Sequence, residues 1–179
     1  SDAYDILKAL PEEAAEEKLV IEAEVLTALK RPQDALGKIQ KFLDGHRHTK
    51  SALDVAANVI KVQLLENVQG VEVALAAATE LAESNPNVPS YFLLVSDRLL
   101  HKGEKEQATE WTLKASEASN TYADKVMVAH SYFDLGKFAE AAKAYKCLLV
   151  SYDDSPILRC LFQSYLSADL RAEALELVT

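Results

Sequence analysis

The chain has 179 residues, of which 49% are hydrophobic and 26% charged, and a formal net charge of −9. This is an ordinary soluble, globular composition, and only five glycines and five prolines interrupt it, which leaves long stretches free for helix. The acidity argues against nucleic acid as a partner, since phosphate binding rests on Lys and Arg, and it favours a basic peptide or protein face.

Apolar residues recur at the 3.6-residue spacing of amphipathic helices almost throughout, and no strand-like alternation persists. The pattern predicts helices over 2–10, 12–29, 33–44, 50–68, 71–84, 89–101, 105–118, 122–134, 138–150, 156–167 and 170–178. At the start, Tyr4, Leu7 and Pro11 read as the tail of a second helix with its closing proline. The acidic run Glu12 to Glu17 suits a helix N-terminus, where the dipole favours carboxylates. The segment Asp44 to Lys50 is a basic loop. Its His46 and His48 have no third ligand at a recognisable spacing, so a polar loop explains them better than a metal. Leu53, Ala56, Ala57, Ile60 and Leu64 then form one apolar stripe, and Asn85-Pro86-Asn87 separates two helices. Gly103 and Gly136 fall where a helix should end in a left-handed cap. Phe138, Ala141, Ala142, Tyr145, Leu148 and Leu149 make another stripe, and Ser155-Pro156 supplies an N-cap and first-turn proline. Cys147 and Cys160 stand 13 residues apart, with no C-x-x-C motif. They read as small buried apolar residues; a disulfide is possible but unforced, which points to a reducing compartment, with the cytoplasm the expectation, or to indifference to redox state. No stretch approaches the ~20 apolar residues of a membrane span, and no signal-peptide pattern opens the chain.

Five alanines, Ala35, Ala74, Ala108, Ala141 and Ala174, each sit early in the predicted second helix of a pair, spaced by 39, 34, 33 and 33 residues. A constant period of this length marks a stacked two-helix repeat, and the alanine column implies close approach of paired helices. The repeats run approximately over 12–50, 51–87, 88–121, 122–154 and 155–179, after a partial helix at 1–10, as a single solenoid segment. The first spacing is about five residues long, and the basic loop takes up the excess.

These pairs resemble the tetratricopeptide repeat. The best copy has Val128-Ala129-x-x-Tyr132, Gly136-x-Phe138-x-x-Ala141 and Tyr145-x-x-Leu148-Leu149. The copy before it has Val95-Ser96-x-x-Leu99, Gly103-x-Lys105-x-x-Ala108 and Ala115; Val62-x-x-Leu65, Ala74, Ala78, Leu81 and Pro86 form the next copy back. Leu161-Phe162-x-x-Tyr165 with Ala174 follows the template after Ser155, and Ala23-x-x-Leu26, Ala35, Ile39 and Phe42 do so more loosely near the start. The copies diverge: the consensus tryptophan is missing, the lone Trp111 lies in a second helix, and Phe162 stands at a usually small position. The resemblance implies an all-α, right-handed α-α superhelix of antiparallel helix pairs whose first helices line a concave groove. Leu175, Leu177 and Val178 form an apolar face with no repeat left to cover it, so the expectation is a segment of a longer array.

Carried over by position, the polar and aromatic groove residues are Glu24, Gln63, Asn67, Asp97, His101, His130, Phe133, Asp134, Arg159 and Gln163, flanked by Val20, Thr27, Val59, Glu66, Leu93, Leu100, Val126 and Leu166. A mixed row of this kind can hydrogen-bond a peptide while its apolar members exclude water. No nucleophile motif or Gly-rich phosphate loop is present, and His101 and His130 beside Asp97 and Asp134 fit partner binding better than general-base chemistry. The expected protein is therefore noncatalytic, with no cofactor and no metal. It is a protein–protein interaction scaffold in a multiprotein assembly, targeting or trafficking complex. The alternatives are a regulatory or substrate-recruiting module fused to an enzyme domain, and a self-associating module. Co-chaperones of the resembled family hold the acidic C-terminal tail of heat-shock chaperones with Lys, Asn and Arg; here Glu24, Gln63, Asp97 and His130 take one column, so that ligand is not expected.

Overall fold

The computed structural model describes residues 15–45, 51–151 and 155–177. Expectations resting on Tyr4, Leu7, Pro11, the loop with His46 and His48, and Val178 lie outside these residues, as does the first half of the acidic run at 12–17. Ten helices and no strand are found among the described residues: α1 Ala15–Ala28, α2 Pro32–Gly45, α3 Ala52–Gln69, α4 Val71–Ser84, α5 Pro89–Lys102, α6 Lys105–Ala118, α7 Tyr122–Asp134, α8 Phe138–Ser151, α9 Ser155–Ser167 and α10 Arg171–Glu176.

The chain divides into two compact units, Ser1–Ala78 and Thr79–Thr179, the division falling inside α4. In the first, α1 packs on α2, α2 on α3, and α1 on α3. Its core is Ala23, Leu26, Ala35, Ile39, Phe42, Ala57 and Leu64. In the second, α5 packs on α6, α6 on α7 and α5 on α7, followed by α7 on α8, α8 on α9 and α9 on α10. Within each unit these helices pack on their neighbours in turn, which is how repeats that cannot bury an apolar face alone share a core. The C-terminal core joins Ala129, Ala141, Ala142, Tyr145, Leu148, Ile157, Leu161, Tyr165 and Ala174.

All five column alanines are buried. Each also makes the same backbone bond, its N–H donating to the carbonyl four residues back: Arg31, Gly70, Glu104, Lys137 and Leu170, at 2.9–3.3 Å. The bond closes the first turn of each second helix, so the period of the sequence is a period of hydrogen bonding.

The first helix of four pairs ends on a left-handed residue: Lys30 (φ 60°), Gly103 (φ 84°), Gly136 (φ 77°) and Asp169 (φ 59°). In each, the following N–H donates to the carbonyl five residues earlier, at 2.8–2.9 Å, satisfying one of the orphan carbonyls of the helix end. Gly103 and Gly136 were expected there; Lys30 and Asp169 adopt the conformation without glycine. A Cβ added at Gly136 meets nothing within 4 Å, so only the backbone angle opposes a side chain. Gly136→Ala is expected to cost about 1–2 kcal/mol. Gly37, inside α2 and equally open, should respond in the opposite sense: Gly37→Ala should add about 1 kcal/mol. Urea denaturation of the two variants checks both signs.

Two first helices begin in a capping box. Ser51 with Asp54 and Thr121 with Asp124 each exchange side-chain and backbone bonds of 2.8–3.1 Å. Polar side chains also enter the C-terminal unit's interior as a chain of hydroxyls. Ser96 Oγ donates to the Ala108 carbonyl at 2.8 Å and lies 2.8 Å from Thr112 Oγ1, which lies 2.9 Å from Ser131 Oγ. This ladder ties α5, α6 and α7 together and satisfies groups whose burial would otherwise be costly.

Candidate partner-binding site

Helical spacing sets one row of side chains on each first helix. On α5, Asp97 and His101 are one turn apart, with His101 Nε2 3.7 Å from Asp97 Oδ1. The guanidinium of the buried Arg98 donates from Nη2 to Asp97 Oδ2 at 2.5 Å. Burial pushes the Asp97 carboxyl above its ordinary range, His101 pulls it down, and the charge of Asp134 on α7 raises it further. Asp97 and Asp134 therefore belong to one acidic patch at α5 and α7, and a cation brought there would relieve their repulsion. Burial also lowers the pKa of Arg98.

A cleft of about 460 Å³ adjoins α7, α8 and α9, lined by His130, Phe133, Tyr145, Arg159, Cys160, Phe162 and Gln163. Four of the residues expected in the groove, His130, Phe133, Arg159 and Gln163, converge in it. The others come from positions whose role in the site was not read from the sequence. Tyr145 reaches across from α8, its hydroxyl 2.6 Å from His130 Nδ1 and its ring edge-on to the imidazole at 5.5 Å. Burial raises its pKa well above that of an ordinary tyrosine, with Cys160 and Asp134 adding to the shift. The unusual Phe162 supplies apolar wall, and Phe133 is braced edge-on by Phe138 at 5.1 Å.

In the N-terminal unit, Glu24, Gln63 and Asn67 line a second cleft, of about 360 Å³, with Thr27, Ala28, Ile60 and Leu64. Thr27 turns its hydroxyl inward to the Ala23 carbonyl at 2.8 Å, which leaves Glu24, Gln63 and Asn67 as its exposed polar groups. The ten selected residues thus fall into two clefts and one acidic patch. All ten are exposed except Phe133, which is half-buried. Val20, Val59, Glu66, Leu93, Leu100 and Val126 are half-buried beside them, and Leu166 is exposed.

Cys147 and Cys160 are both free thiols; Cys147 is exposed, contrary to the expectation that both would be buried, because it stands on the solvent side of α8. Among the described residues no group of three His, Cys, Asp or Glu side chains could hold a metal, and no helix is long and apolar enough to cross a membrane.

No protein-family model matches the chain, and no curated protein matches it either. Solved structures do. A thermophilic TPR protein of Thermus thermophilus is 21% identical over 90% of this chain and 87% of its own, with a TM-score of 0.59. The nearly identical TPR-like repeats of a putative kinesin light chain from Podospora anserina are 13% identical, with coverages of 94% and 93% and a TM-score of 0.62. MamA is 11% identical, covering 93% of this chain and 89% of its own at a TM-score of 0.56. At such identities the likeness is one of fold: all-α pairs of the tetratricopeptide kind along nearly the whole chain.

Proposed function

We propose that this chain, whose fold is that of tetratricopeptide repeat proteins, is a noncatalytic scaffold that holds a peptide or a partner subunit against the exposed rows of its first helices. One observation carries the reading. Residues at the positions where the tetratricopeptide resemblance implies a groove share clefts in the structure: Glu24, Gln63 and Asn67 in one, and His130, Phe133, Arg159 and Gln163 in another. Clefts of a few hundred Å³ with apolar walls and a few polar groups suit side chains of a bound segment. Asp97 and Asp134 add a preference for a basic residue beside the second cleft, because a cation offsets the burial and the charge of Asp134 that disfavour the Asp97 carboxylate. Assembly, targeting or trafficking complexes are the setting this activity fits.

The test compares affinity capture by the intact chain with capture by the triple variant Asp97→Lys, His130→Glu, Asp134→Lys. Partners held by the α5 and α7 rows should be lost with the fold intact by circular dichroism. Survival of every captured partner would refute the site assignment. An acidic C-terminal peptide of the heat-shock chaperone type serves as negative control, since Glu24, Gln63, Asp97 and His130 offer its carboxylate no cation pair.

A further inference from the structure

A third cavity, of about 510 Å³, lies away from the first-helix rows, between the second helices α6 and α8 with α7 as its floor. Ser116, Ser119 and Asn120 come from the end of α6 and the residues after it; Tyr122, Lys125, Val128 and Tyr132 come from α7; Glu140, Lys143, Ala144, Cys147 and Leu148 come from α8. Its size falls within the ~300–1,000 Å³ typical of ligand sites.

Its chemistry differs from that of the clefts. The floor is apolar, built on the buried Val128 and Leu148, with two tyrosine rings beside them. Tyr132 is half-buried, and burial raises its pKa above that of an ordinary tyrosine. Two lysines and one glutamate line the cavity, a net of one positive charge in a chain of net −9. Neither Lys125 nor Lys143 forms an ion pair among the described residues. An apolar recess between unpaired ammonium groups is complementary to a large apolar side chain with a carboxylate next to it in sequence: the apolar group gains burial, and the acid gains charge-assisted bonds. A basic segment, the class that suits Asp97 and Asp134, would meet two like charges here.

We infer that this cavity is a second docking site, independent of the first-helix clefts, for a partner peptide in which an aromatic residue is flanked by acidic ones. The lysines select the acidic flank, and the tyrosine-walled floor takes the aromatic ring.

The test uses the intact chain, isotope-labelled, titrated with acetyl-Glu-Trp-Glu-amide, acetyl-Gln-Trp-Gln-amide and acetyl-Glu-Ala-Glu-amide. The first peptide should shift backbone amide resonances of α6 to α8 and bind about tenfold more tightly than the second, with no measurable binding of the third. In a Cys160→Ser variant, where Cys147 is the sole thiol, saturating acidic peptide should slow alkylation of Cys147. The Lys125→Glu, Lys143→Glu double variant should lose the preference for the acidic peptide. Equal affinity for the Glu and Gln peptides would overturn the proposal, and that comparison needs no variant to fold. Absence of binding, or shifts confined to His130, Phe133, Arg159 and Gln163, would overturn it equally.

Discussion

Tyr145→Ala should destabilise the C-terminal unit by about 3–5 kcal/mol, while Tyr145→Phe should cost only about 1 kcal/mol. Tyr145 is 1% exposed and heads the fully buried side chains by volume, so truncation empties space at the centre of a cluster shared by α7, α8, α9 and α10. The phenylalanine variant keeps the ring and removes only the 2.6 Å bond to His130 Nδ1. Its smaller penalty reflects the exposure of His130, whose ring nitrogen can turn to water instead. Urea denaturation at unchanged slope measures both. A double-mutant cycle with His130→Ala isolates the hydrogen bond, and its coupling should account for most of the Tyr145→Phe loss. Near-equal costs for the two substitutions would mean that the hydroxyl, rather than ring packing, holds the cluster. The result bears on function too, because Tyr145 fixes the imidazole that lines the α7–α9 cleft.

The helices were legible because apolar period and punctuation agree locally. Together they predict 71–84, 105–118 and 122–134 with the observed bounds, and place other ends within a residue or two, as at Pro32–Gly45 and Ala52–Gln69. The capping boxes at Ser51 and Thr121 could also have been read, since each shows a hydroxyl followed three residues later by aspartate. Lys30 and Asp169 could not. Nothing in a lysine favours φ near 60°; the repeat's closure imposes it, the same bond five residues back recurring at Gly103 and Gly136. Of the candidate site, the rows on the first helices followed from the repeat resemblance, carried over position by position. The side chains that complete the cleft did not, because Tyr145 meets His130 across 15 residues, and neither did the interior bonds of Ser96, Thr112 and Ser131 across three helices. Such pairings depend on how helices stack, which local pattern does not encode. The α6–α8 cavity escaped for the same reason: only the packing of two helices brings Lys125 and Lys143 to one recess.

Ala141→Leu should cost about 1–3 kcal/mol through overpacking, whereas Ala139→Leu, two residues earlier on the same helix, should stay within about 0.5 kcal/mol of the parent. Leucine and alanine differ little in helix propensity, so the contrast reports on packing alone. Ala141 has no exposed surface and shares a core cluster with Ala129 of α7, which is also fully buried, so a leucine there must push α8 off α7 or adopt a strained rotamer. Ala139 is exposed and gives a leucine room. Ala108, equally buried and with the same first-turn bond, should respond as Ala141 does, because it is the same position one repeat earlier. Chemical denaturation of the three variants decides the matter. A cost at Ala141 and Ala108 with none at Ala139 ties the sequence period to helix contact. A neutral Ala141→Leu would mean that the alanine column marks composition rather than close approach, and would remove the physical basis for reading the chain as stacked pairs.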